Sequence, residues 1–418
     1  MDTKLVAVLL AGTLISVASV ASRGDDDHDS PRLPRNATFT TLVVTPLAIE
    51  GLTGDSSGNL YTTGRAIPPA PCPVWRINTA SPTLVPVGFV PNPVGCNPSG
   101  ITFDEAGNLY VADGASTGTV WKLTPNETTP PAATAFATGV PGTNGLAFDR
   151  NGNLWTGDGT TGQGRVWRIA PSGGACEPAF VGCKEVFRIQ PMSNEVNLVL
   201  GIGGVGRDVR SLPPGAITVT PTTRNAANTL GSQPLVANGL AFNRDGDLYI
   251  ADTARGAIWK AEFRRHGELK SAIGCDITFT ANTLCLDNVF VAHPYLEGTD
   301  GIALDREGNI WNSANERNAI VVVTKHRSVA EVFRNPVNAA GLRNSADPAL
   351  GNNHILELPT SPFLLGHKFC TSQSDGDRRD NSPRAAGEIN AGGPVGARGK
   401  ISCMDQELEI PGLPLPVR

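Results

Sequence analysis

Apolar and polar residues alternate in short runs along this chain, and the runs come in pairs joined by a turn. At residues 100–110 the run Gly-Ile-Thr-Phe is followed by Asp-Glu-Ala-Gly-Asn and then by Leu-Tyr. Because Gly and Asn readily adopt the positive φ that tight turns need, this pattern predicts a β-hairpin. The pattern occurs five times, at residues 51–61, 100–110, 145–155, 239–249 and 301–311.

A third apolar run follows each hairpin and begins 19 to 23 residues after the leading glycine. In four copies it contains a tryptophan followed by a basic residue. The regular offset predicts a meander of at least three strands, with a more variable fourth strand before the next copy. The third runs lie at residues 74–77, 120–123, 166–169, 258–261 and, more weakly, 320–323.

The repeat has the period of a propeller blade. Successive leading glycines are 49, 45, 94 and 62 residues apart, and four-stranded blades repeat at about 40–50 residues. A sixth unit without the glycine pattern is predicted at residues 358–370, with its third strand at 399–403. We therefore predict an all-β fold, a six-bladed β-propeller with four-stranded antiparallel blades around a central channel. Residues 38–46 are expected to supply the outer strand of the last blade and to close the ring.

The 94-residue interval leaves a seven-bladed propeller as an alternative. Residues 201–221 contain no Asp-x-x-Gly hairpin, which favours an insertion over an extra blade. We expect one propeller domain over residues 38–418, with insertions near 170–235 and 371–398. The second insertion joins two strands of the last blade, and both a lid over the ligand face and a plain surface insertion fit its composition.

The N-terminal segment has the features of an export signal. Lys4 precedes an apolar run at residues 5–20, and small residues follow it, so residues 1–22 are predicted to be a cleaved signal peptide. Residues 23–37 are rich in Asp and are predicted to form a disordered linker. We therefore expect a secreted or periplasmic protein that has no membrane segment after cleavage.

Export makes the eight cysteines candidates for disulfides. Their grouping along the chain predicts neighbour pairing, while the absence of any Cys-x-x-Cys pair disfavours a metal cluster. The predicted pairs are Cys72 with Cys96, Cys176 with Cys183, Cys275 with Cys285 and Cys370 with Cys403.

The charge composition argues against nucleic-acid binding. Lys and Arg total 34 against 39 Asp and Glu, and the net charge of −5 provides no basic face for nucleic acid. Hydrophobic residues make up 40% of the chain, which is enough for a sizeable core. No feature predicts self-association, so we expect a monomer.

Ring closure gathers residues that are far apart in the sequence. In a propeller the innermost strands line the channel, so the residues just before these strands converge at one mouth. These positions are Glu50, Ser99, Asn144, Asn238, Asp300 and Thr360. Two carboxylates there repel each other unless a cation lies between them, and carboxylate and amide oxygens suit Ca²⁺ best among divalent ions. The alternative is that Asn, Asp and Ser before Gly only shape turns, although Glu50 is a poor turn former.

Other recurring acids are predicted to be structural. One set lies in the hairpin turns at the opposite mouth, and another follows the second strands and is expected to cap turns. The first set is Asp55, Asp104, Asp149, Asn243 and Asp305; the second is Asp113, Asp158 and Asp252.

The repeat resembles the SMP-30/gluconolactonase family of six-bladed propellers and, more loosely, NHL repeats. The family's metal motif is matched in order by Glu50-Gly51, Asn144-Gly145, Asn238-Gly239 and Asp300-Gly301. The resemblance covers about residues 40–410 and implies that the four polar residues of these pairs bind a divalent cation, for which we expect Ca²⁺. It further implies a metal-dependent lactonase or esterase acting on a small-molecule lactone or ester. Asp300 is then the expected catalytic residue, which takes a proton from the attacking water.

The chain departs from the family in two respects. Sugar-lactone members have an arginine just before the third-blade asparagine, where this chain has Thr143. Paraoxonase-like members have histidines near the metal, whereas His293 is the only mild candidate here. We expect Ser99, Thr360 and His293 to line a substrate funnel. A second hypothesis is a non-catalytic exported propeller that binds a protein, a glycan or a small ligand through the same mouth.

Overall fold

Twenty-six β-strands form nearly all the regular structure of the described chain. The computed structural model describes residues 33–34, 37–115, 118–159, 163–189, 237–264, 267–270, 282–296, 298–334, 356, 358–374, 399–410 and 412. Within these ranges the helical elements are three short 3₁₀ turns, at Leu286–Asn288, Pro294–Leu296 and Asn315–Arg317. None of the helices in these ranges is long and apolar enough to span a bilayer.

The strands are numbered in chain order. The first fourteen are β1 (Phe39–Val44), β2 (Thr53–Gly54), β3 (Asn59–Thr63), β4 (Cys72–Asn78), β5 (Leu84–Val90), β6 (Pro98–Phe103), β7 (Leu109–Asp113), β8 (Thr119–Leu123), β9 (Thr134–Thr138), β10 (Thr143–Phe148), β11 (Leu154–Asp158), β12 (Arg165–Ile169), β13 (Gly174–Ala175) and β14 (Cys183–Ile189). The remainder are β15 (Leu240–Phe242), β16 (Leu248–Asp252), β17 (Ala257–Ala261), β18 (Thr283–Leu284), β19 (Val289–Ala292), β20 (Thr299–Leu304), β21 (Ile310–Ala314), β22 (Ala319–Val323), β23 (Val329–Arg334), β24 (Pro359–Leu364), β25 (Gly366–Gln373) and β26 (Lys400–Ile410).

The strands form six sheets, which are the blades of a propeller. Blade 1 is β2-β3-β4-β5, blade 2 is β6-β7-β8-β9, blade 3 is β10-β11-β12-β14, blade 4 is β15-β16-β17-β19 and blade 5 is β20-β21-β22-β23. The short strands β13 and β18 add a fifth, parallel strand to the outer edges of blades 2 and 3. Blade 6 is β24-β25-β26 with β1 as its outer strand. The predicted six-bladed fold, its sixth unit and its closure by the N-terminal strand are therefore confirmed.

The contact between blades 3 and 4 decides against a seventh blade. The N–H of Gly145, in the innermost strand of blade 3, donates to the carbonyl oxygen of Asn238 at 3.2 Å, directly before the innermost strand of blade 4. Two innermost strands that touch leave no space for another blade between them. The fourth strand of blade 3, β14, lies inside the span 170–235 that the sequence assigns to an insertion, so residues up to Ile189 belong to the blade.

Hydrophobic side chains fill the spaces between neighbouring blades. Between blades 3 and 4, for example, Trp155 packs edge-on against Phe242, with ring centroids 5.6 Å apart, and Trp259 belongs to the same buried cluster. The six residues predicted at the channel mouth, here called the ring residues, are Glu50, Ser99, Asn144, Asn238, Asp300 and Thr360. In the innermost strands the apolar residues two positions after the ring residues, such as Leu146 and Ile302, are buried. The short alternating runs therefore form the blades because one face of each strand can be buried only against the next blade.

The structure contains three of the predicted disulfides, Cys72–Cys96, Cys176–Cys183 and Cys370–Cys403. Cys285 is also disulfide-bonded, but its predicted partner, Cys275, lies outside the described residues. The predicted signal peptide, most of the predicted linker and most of the predicted insertion at 371–398 lie outside them as well.

Candidate metal and substrate site

A one-residue irregularity at the start of the innermost strand shapes the mouth of the channel. In blade 3, Thr143 pairs with Asp158 but Leu146 pairs with Thr156, so the register shifts across Asn144 and Gly145. The same shift brackets Ser99, Asp300 and Thr360 in blades 2, 5 and 6. A bulge of this kind changes the direction of a side chain at the end of a strand. In these four blades the predicted mouth residue is therefore the second residue of the innermost strand and not the residue before it, and the bulge gives it a separate position at the mouth.

Five of the six ring residues, all but Thr360, are followed by a glycine that the close approach of the next blade requires. A Cβ on Gly51 would lie 2.0 Å from the carbonyl oxygen of Ser99, and one on Gly145 would lie 2.4 Å from that of Asn238. Gly100, Gly239 and Gly301 meet the ring carbonyls of Asn144, Asp300 and Thr360 in the same way, at 2.2 to 2.4 Å. Each of these glycines thus contacts the backbone of the ring residue of the next blade, and the ring residues lie on a closed circle.

Glu50 makes contacts across this circle. Its Oε1 accepts a hydrogen bond from Nδ2 of Asn144, two blades away, at 3.3 Å. Its Oε2 forms an ion pair with Arg65, which follows β3 and is held by a hydrogen bond from its own backbone N–H to the carbonyl of Ala48 at 2.9 Å. One carboxylate of the predicted set is therefore bound to one predicted amide and to a cationic side chain that the sequence analysis did not single out.

Asp300 forms the other half of the site. Its Oδ2 accepts a hydrogen bond from Nδ2 of Asn315 at 2.8 Å, and the side chain is almost fully buried. Burial raises the pKa of Asp300 to about 7, although hydrogen bonds from Asn315 and Asn238 and the charge of Arg65 act to lower it. The structure thus joins Glu50 to Asn144 by a hydrogen bond. It brings Asn238 next to Asp300 through the backbone, since the N–H of Gly239 donates to the carbonyl of Asp300 at 3.1 Å, and the charge of Arg65 acts on both carboxylates.

Ser99 and Thr360 direct their hydroxyls to backbone carbonyls of neighbouring blades. Ser99 Oγ donates to the carbonyl of Thr143 at 3.2 Å, and Thr360 Oγ1 donates to that of Glu50 at 2.7 Å. The hydroxyl of Ser372 also contacts the Glu50 carbonyl. These hydrogen bonds hold blades together at the ring, and a role of the two hydroxyls in substrate binding stays a prediction.

His293 interacts locally instead of with the ring. Its Nδ1 accepts a hydrogen bond from the N–H of Tyr295 at 3.0 Å, and the two rings are 4.7 Å apart. Burial and, to a smaller degree, the charge of Arg317 lower the pKa of His293, so the imidazole is neutral at neutral pH. Among the described residues it contacts none of the four predicted metal ligands.

The acids of the hairpin turns are structural, as the sequence predicts. In blade 5, Oδ1 of Asp305 accepts the N–H groups of Glu307 and Asn309, while Oδ2 accepts Nδ2 of Asn309 and Nε1 of Trp311, at 2.8 to 3.0 Å. Asp55, Asp104 and Asp149 repeat this arrangement in blades 1 to 3, with a Tyr hydroxyl or a Trp N–H as the ring partner.

The acids after the second strands are also structural. Asp113 accepts the backbone N–H groups of Asn97 and Ala115 and Nε1 of Trp121, at 2.8 to 3.1 Å. Asp158 pairs with Arg165 at 3.2 Å, and Asp252 pairs with the fully buried Arg255. The predicted turn-capping role is confirmed for Asp113 and Asp252, which accept backbone N–H groups of the following turns. For Asp158 it stays a prediction, and the sequence pattern did not indicate the two buried arginines.

The donor chemistry of the ring fits a divalent cation. Asn144 and Asn238 donate hydrogen bonds through their side-chain N–H groups, so their amide oxygens are the atoms that would bind a cation. Two carboxylates and two amide oxygens form a hard-oxygen set suited to Ca²⁺. In the same ranges no group of three or more His, Cys, Asp or Glu residues could hold a metal, so the amides are needed to complete any cation site here. Arg65 is the feature that competes with a cation for Glu50.

Arg65 and Asn315 are the residues of this site that the sequence analysis missed. Both follow the second strand of a blade, and this strand ends at the ring face. Polar residues directly after second strands were therefore the available signal, and the sequence analysis used it only for the aspartates.

Comparison with known proteins confirms the resemblance that the repeats predict. Residues 197–342 match the family described as the SMP-30/Gluconolactonase/LRE-like region. This span contains Asn238 and Asp300, whereas Glu50 and Asn144 lie outside it. No curated protein gives a significant match.

Several solved structures are similar to the chain. Regucalcin, a calcium-binding protein from Agrobacterium tumefaciens, is 15% identical and matches over 91% of this chain and 98% of its own, with a TM-score of 0.48. A protein described as a putative gluconolactonase is 14% identical over 91% and 96% of the chains, with a TM-score of 0.49. Virginiamycin B lyase from Staphylococcus aureus is 13% identical over 82% and 84%, with a TM-score of 0.44.

Proposed function

We propose that this protein is an exported, divalent-metal-dependent hydrolase of lactones or related esters, with its metal held at the ring mouth. The observation that carries the proposal is the gathering of Glu50, Asn144, Asn238 and Asp300 from four different blades, with Glu50 hydrogen-bonded to Asn144 and with Asn238 next to Asp300 of the following blade. Two acidic side chains at one small mouth, together with two amide oxygens, favour a bound cation. Ca²⁺ is the ion that we expect.

The residues have separate parts in this proposal. Glu50, Asn144, Asn238 and Asp300 would hold a divalent cation, which would polarise an ester carbonyl and stabilise the negative charge that develops on its oxygen. Asp300 takes the proton from the attacking water, since a carboxylate with a pKa raised to about 7 is more basic than an ordinary one. Asn315 holds Oδ2 of Asp300 and so fixes the orientation of the carboxylate.

Arg65 has the position expected of a substrate-binding residue. Its side chain is 18% exposed at the mouth and is fixed there by Glu50. A guanidinium in this place can bind a carboxylate or hydroxyl of the substrate through directed hydrogen bonds. Sugar-lactone members of the family have an arginine in the third blade that this chain lacks, and Arg65 would supply an arginine from blade 1 instead. This favours an oxygen-rich substrate over an apolar ester.

Export is supported by the disulfides. Three are present in the described chain, and such bonds form and persist in oxidising compartments such as the periplasm or the cell exterior. The enzyme would then act on a substrate outside the cytoplasm.

A second candidate function is a non-catalytic propeller that binds a ligand at the same mouth. The ion pair between Arg65 and Glu50 favours it, because an internal cation can neutralise one carboxylate without any metal. Such a mouth would bind a polar ligand through Arg65, Asn144 and Asn238 and would leave it unchanged.

Metal analysis followed by an activity panel separates the two candidates. The purified protein is expected to contain about one equivalent of divalent metal and to hydrolyse members of a lactone and ester panel in a chelator-sensitive manner. The Asp300→Asn variant should lose both properties, while the exposed Glu307→Gln variant at the opposite mouth should keep them. Absence of stoichiometric metal in wild type would contradict the metal-dependent mechanism, and metal without hydrolysis would favour the binding protein.

A further inference from the structure

A second pocket lies between blades 3 and 4, at the mouth opposite the ring. It has a volume of about 460 Å³ and is formed by the hairpin turns and third strands of these two blades. Its inner part is apolar, with Trp155 and Phe242 below, and its polar side chains include four arginines. These are Arg150, Arg168, Arg244 and Arg264.

Comparison between blades shows that Arg168 is unusual. In four blades the residue after the tryptophan of the third strand is basic. In three of them it has an acidic partner: Arg76 pairs with Glu127 at 2.6 Å, Lys122 with Asp104 at 3.8 Å and Lys260 with Asp247 at 2.8 Å. Arg168 forms no ion pair with any described residue, and its guanidinium lies over the ring of Trp155, 5.9 Å from the ring centroid.

A second arginine is fixed at the same pocket by the neighbouring turn. One amino group of Arg150, in the hairpin turn of blade 3, donates to the backbone carbonyl of Arg244 in the turn of blade 4 at 2.7 Å. This hydrogen bond joins the two turns across the pocket and leaves the remaining N–H groups of the guanidinium available. The arginines therefore come from two blades and are held by different contacts.

The acids near the pocket do not balance the arginines. Asp149 directs its carboxylate to the N–H groups of Asn151 and Asn153 and to Nε1 of Trp155, at 2.9 Å in each case. Asp245 is the other acid of the lining and is exposed. Four guanidinium groups against these two carboxylates give the pocket a net positive charge in a chain whose net charge is −5.

We propose that this pocket binds a tetrahedral oxyanion, a phosphate or sulfate group carried on a larger molecule. Guanidinium groups bind such anions through paired, charge-assisted hydrogen bonds, and donors converging from two blades suit a tetrahedral group better than a flat carboxylate. The aromatic residues below the arginines exclude water from one side, which strengthens the electrostatic attraction. The site is separate from the ring mouth and does not depend on the function proposed for it.

Isothermal titration calorimetry of the whole protein tests the proposal. The probes are inorganic phosphate, inorganic sulfate, a phosphorylated monosaccharide, a sulfated disaccharide and, as a flat anion, a sugar carboxylate. We expect the tetrahedral anions to bind, with an affinity that falls as salt is added. Preference for a phosphorylated or for a sulfated probe identifies the carrier and supports the site in either case. Absence of heat with every tetrahedral probe, or binding of the carboxylate alone, overturns it.

Matched arginine variants localise the binding. Arg168→Gln and Arg150→Gln should each weaken binding by about tenfold or more, since a hydrogen bond to a charged group contributes about 1.5–3 kcal/mol. Arg76→Gln, at the equivalent position of blade 1, should bind like wild type because Arg76 already has Glu127 as its partner. Circular dichroism checks that each variant is folded. Equal weakening by all three substitutions, or none by the first two, overturns the assignment to this pocket.

Discussion

The two mouths of this propeller contain the same kinds of polar residue in very different surroundings. At the hairpin mouth, the oxygens of Asp305 are bound by groups at most six residues further along the chain. At the ring mouth, Glu50 is bound by Asn144, 94 residues away, and Asp300 lies beside Asn238 from the preceding blade. Acids whose hydrogen bonds all come from their own turn stabilise that turn. Acids that have partners in other blades are brought together by the closed ring.

The same comparison explains why burial acts differently on the two sets. Burial raises the pKa of Asp55 and Asp104, but hydrogen bonds from their own turns more than offset it, and the net pKa is lowered. At Asp300 the balance is reversed, and burial wins. A buried carboxylate whose hydrogen bonds do not offset its burial is costly to keep charged without a cation. The acids of the structural turns do not carry this cost. This difference marks the ring mouth as the candidate functional site.

The largest expected effect is the loss of metal binding when a ring carboxylate is neutralised. Asp300→Asn should weaken Ca²⁺ binding by about a thousandfold, equivalent to about 4 kcal/mol, because a buried cation loses one of two counter-charges. Calorimetric titration of the metal-free protein measures this. The matched substitution at the hairpin mouth, Asp104→Asn, should leave the calcium affinity unchanged. Similar losses in both variants would remove the distinction between the mouths.

The pH dependence of stability tests the same carboxyl group without metal. The pKa of Asp300 is about 7 in the folded protein and about 3.9 in an unfolded chain. The folded state therefore holds a proton that the unfolded state has lost, so stability falls as pH rises from about 4 to about 7, by up to about 4 kcal/mol. Urea unfolding in chelator should show this loss in wild type and not in Asp300→Asn. Parallel stability curves for the two proteins would contradict the assignment.

The blade structure could be read from the sequence because its determinants are local. The Asp-x-x-Gly-Asn turn and the third-strand tryptophan lie within one repeat, and the glycine after five of the six ring residues marks the contact with the next blade. Arg65 and Asn315 each lie 15 residues after the ring carboxylate that they contact, within the same repeat. They could not be found from the repeat pattern, because the corresponding residues of the other repeats, Gly114, Gly159 and Thr253, are of different types. The buried pairs of Asp158 with Arg165 and Asp252 with Arg255 were missed for a similar reason, because only two blades have them.

Removal of a hairpin acid should affect stability and not the ring site. Asp305→Ala leaves four donors in a buried turn without an acceptor, and we expect a loss of about 3 kcal/mol in the free energy of unfolding. Urea unfolding at pH 7 measures it. Asp300→Ala in the metal-free protein should cost far less, since it removes a carboxylate whose burial outweighs its hydrogen bonds. A greater destabilisation by Asp300→Ala would show that the ring acid, too, is mainly structural.

The smallest expected effect is the loss of stability when one hydrogen bond of a hairpin turn is removed and its carboxylate is kept. The hydroxyl of Tyr110 donates to Oδ2 of Asp104 at 3.0 Å, and Asp104 keeps its hydrogen bonds to Asn108 when the hydroxyl is removed. Tyr110→Phe should therefore lower the free energy of unfolding by about 1 kcal/mol, and Tyr61→Phe in blade 1 should act alike through Asp55. Urea unfolding of both variants, with calcium titration as the control, measures this. A change in calcium affinity would mean that the two mouths are coupled through the blade, and their separation into structural and functional acids would then fail.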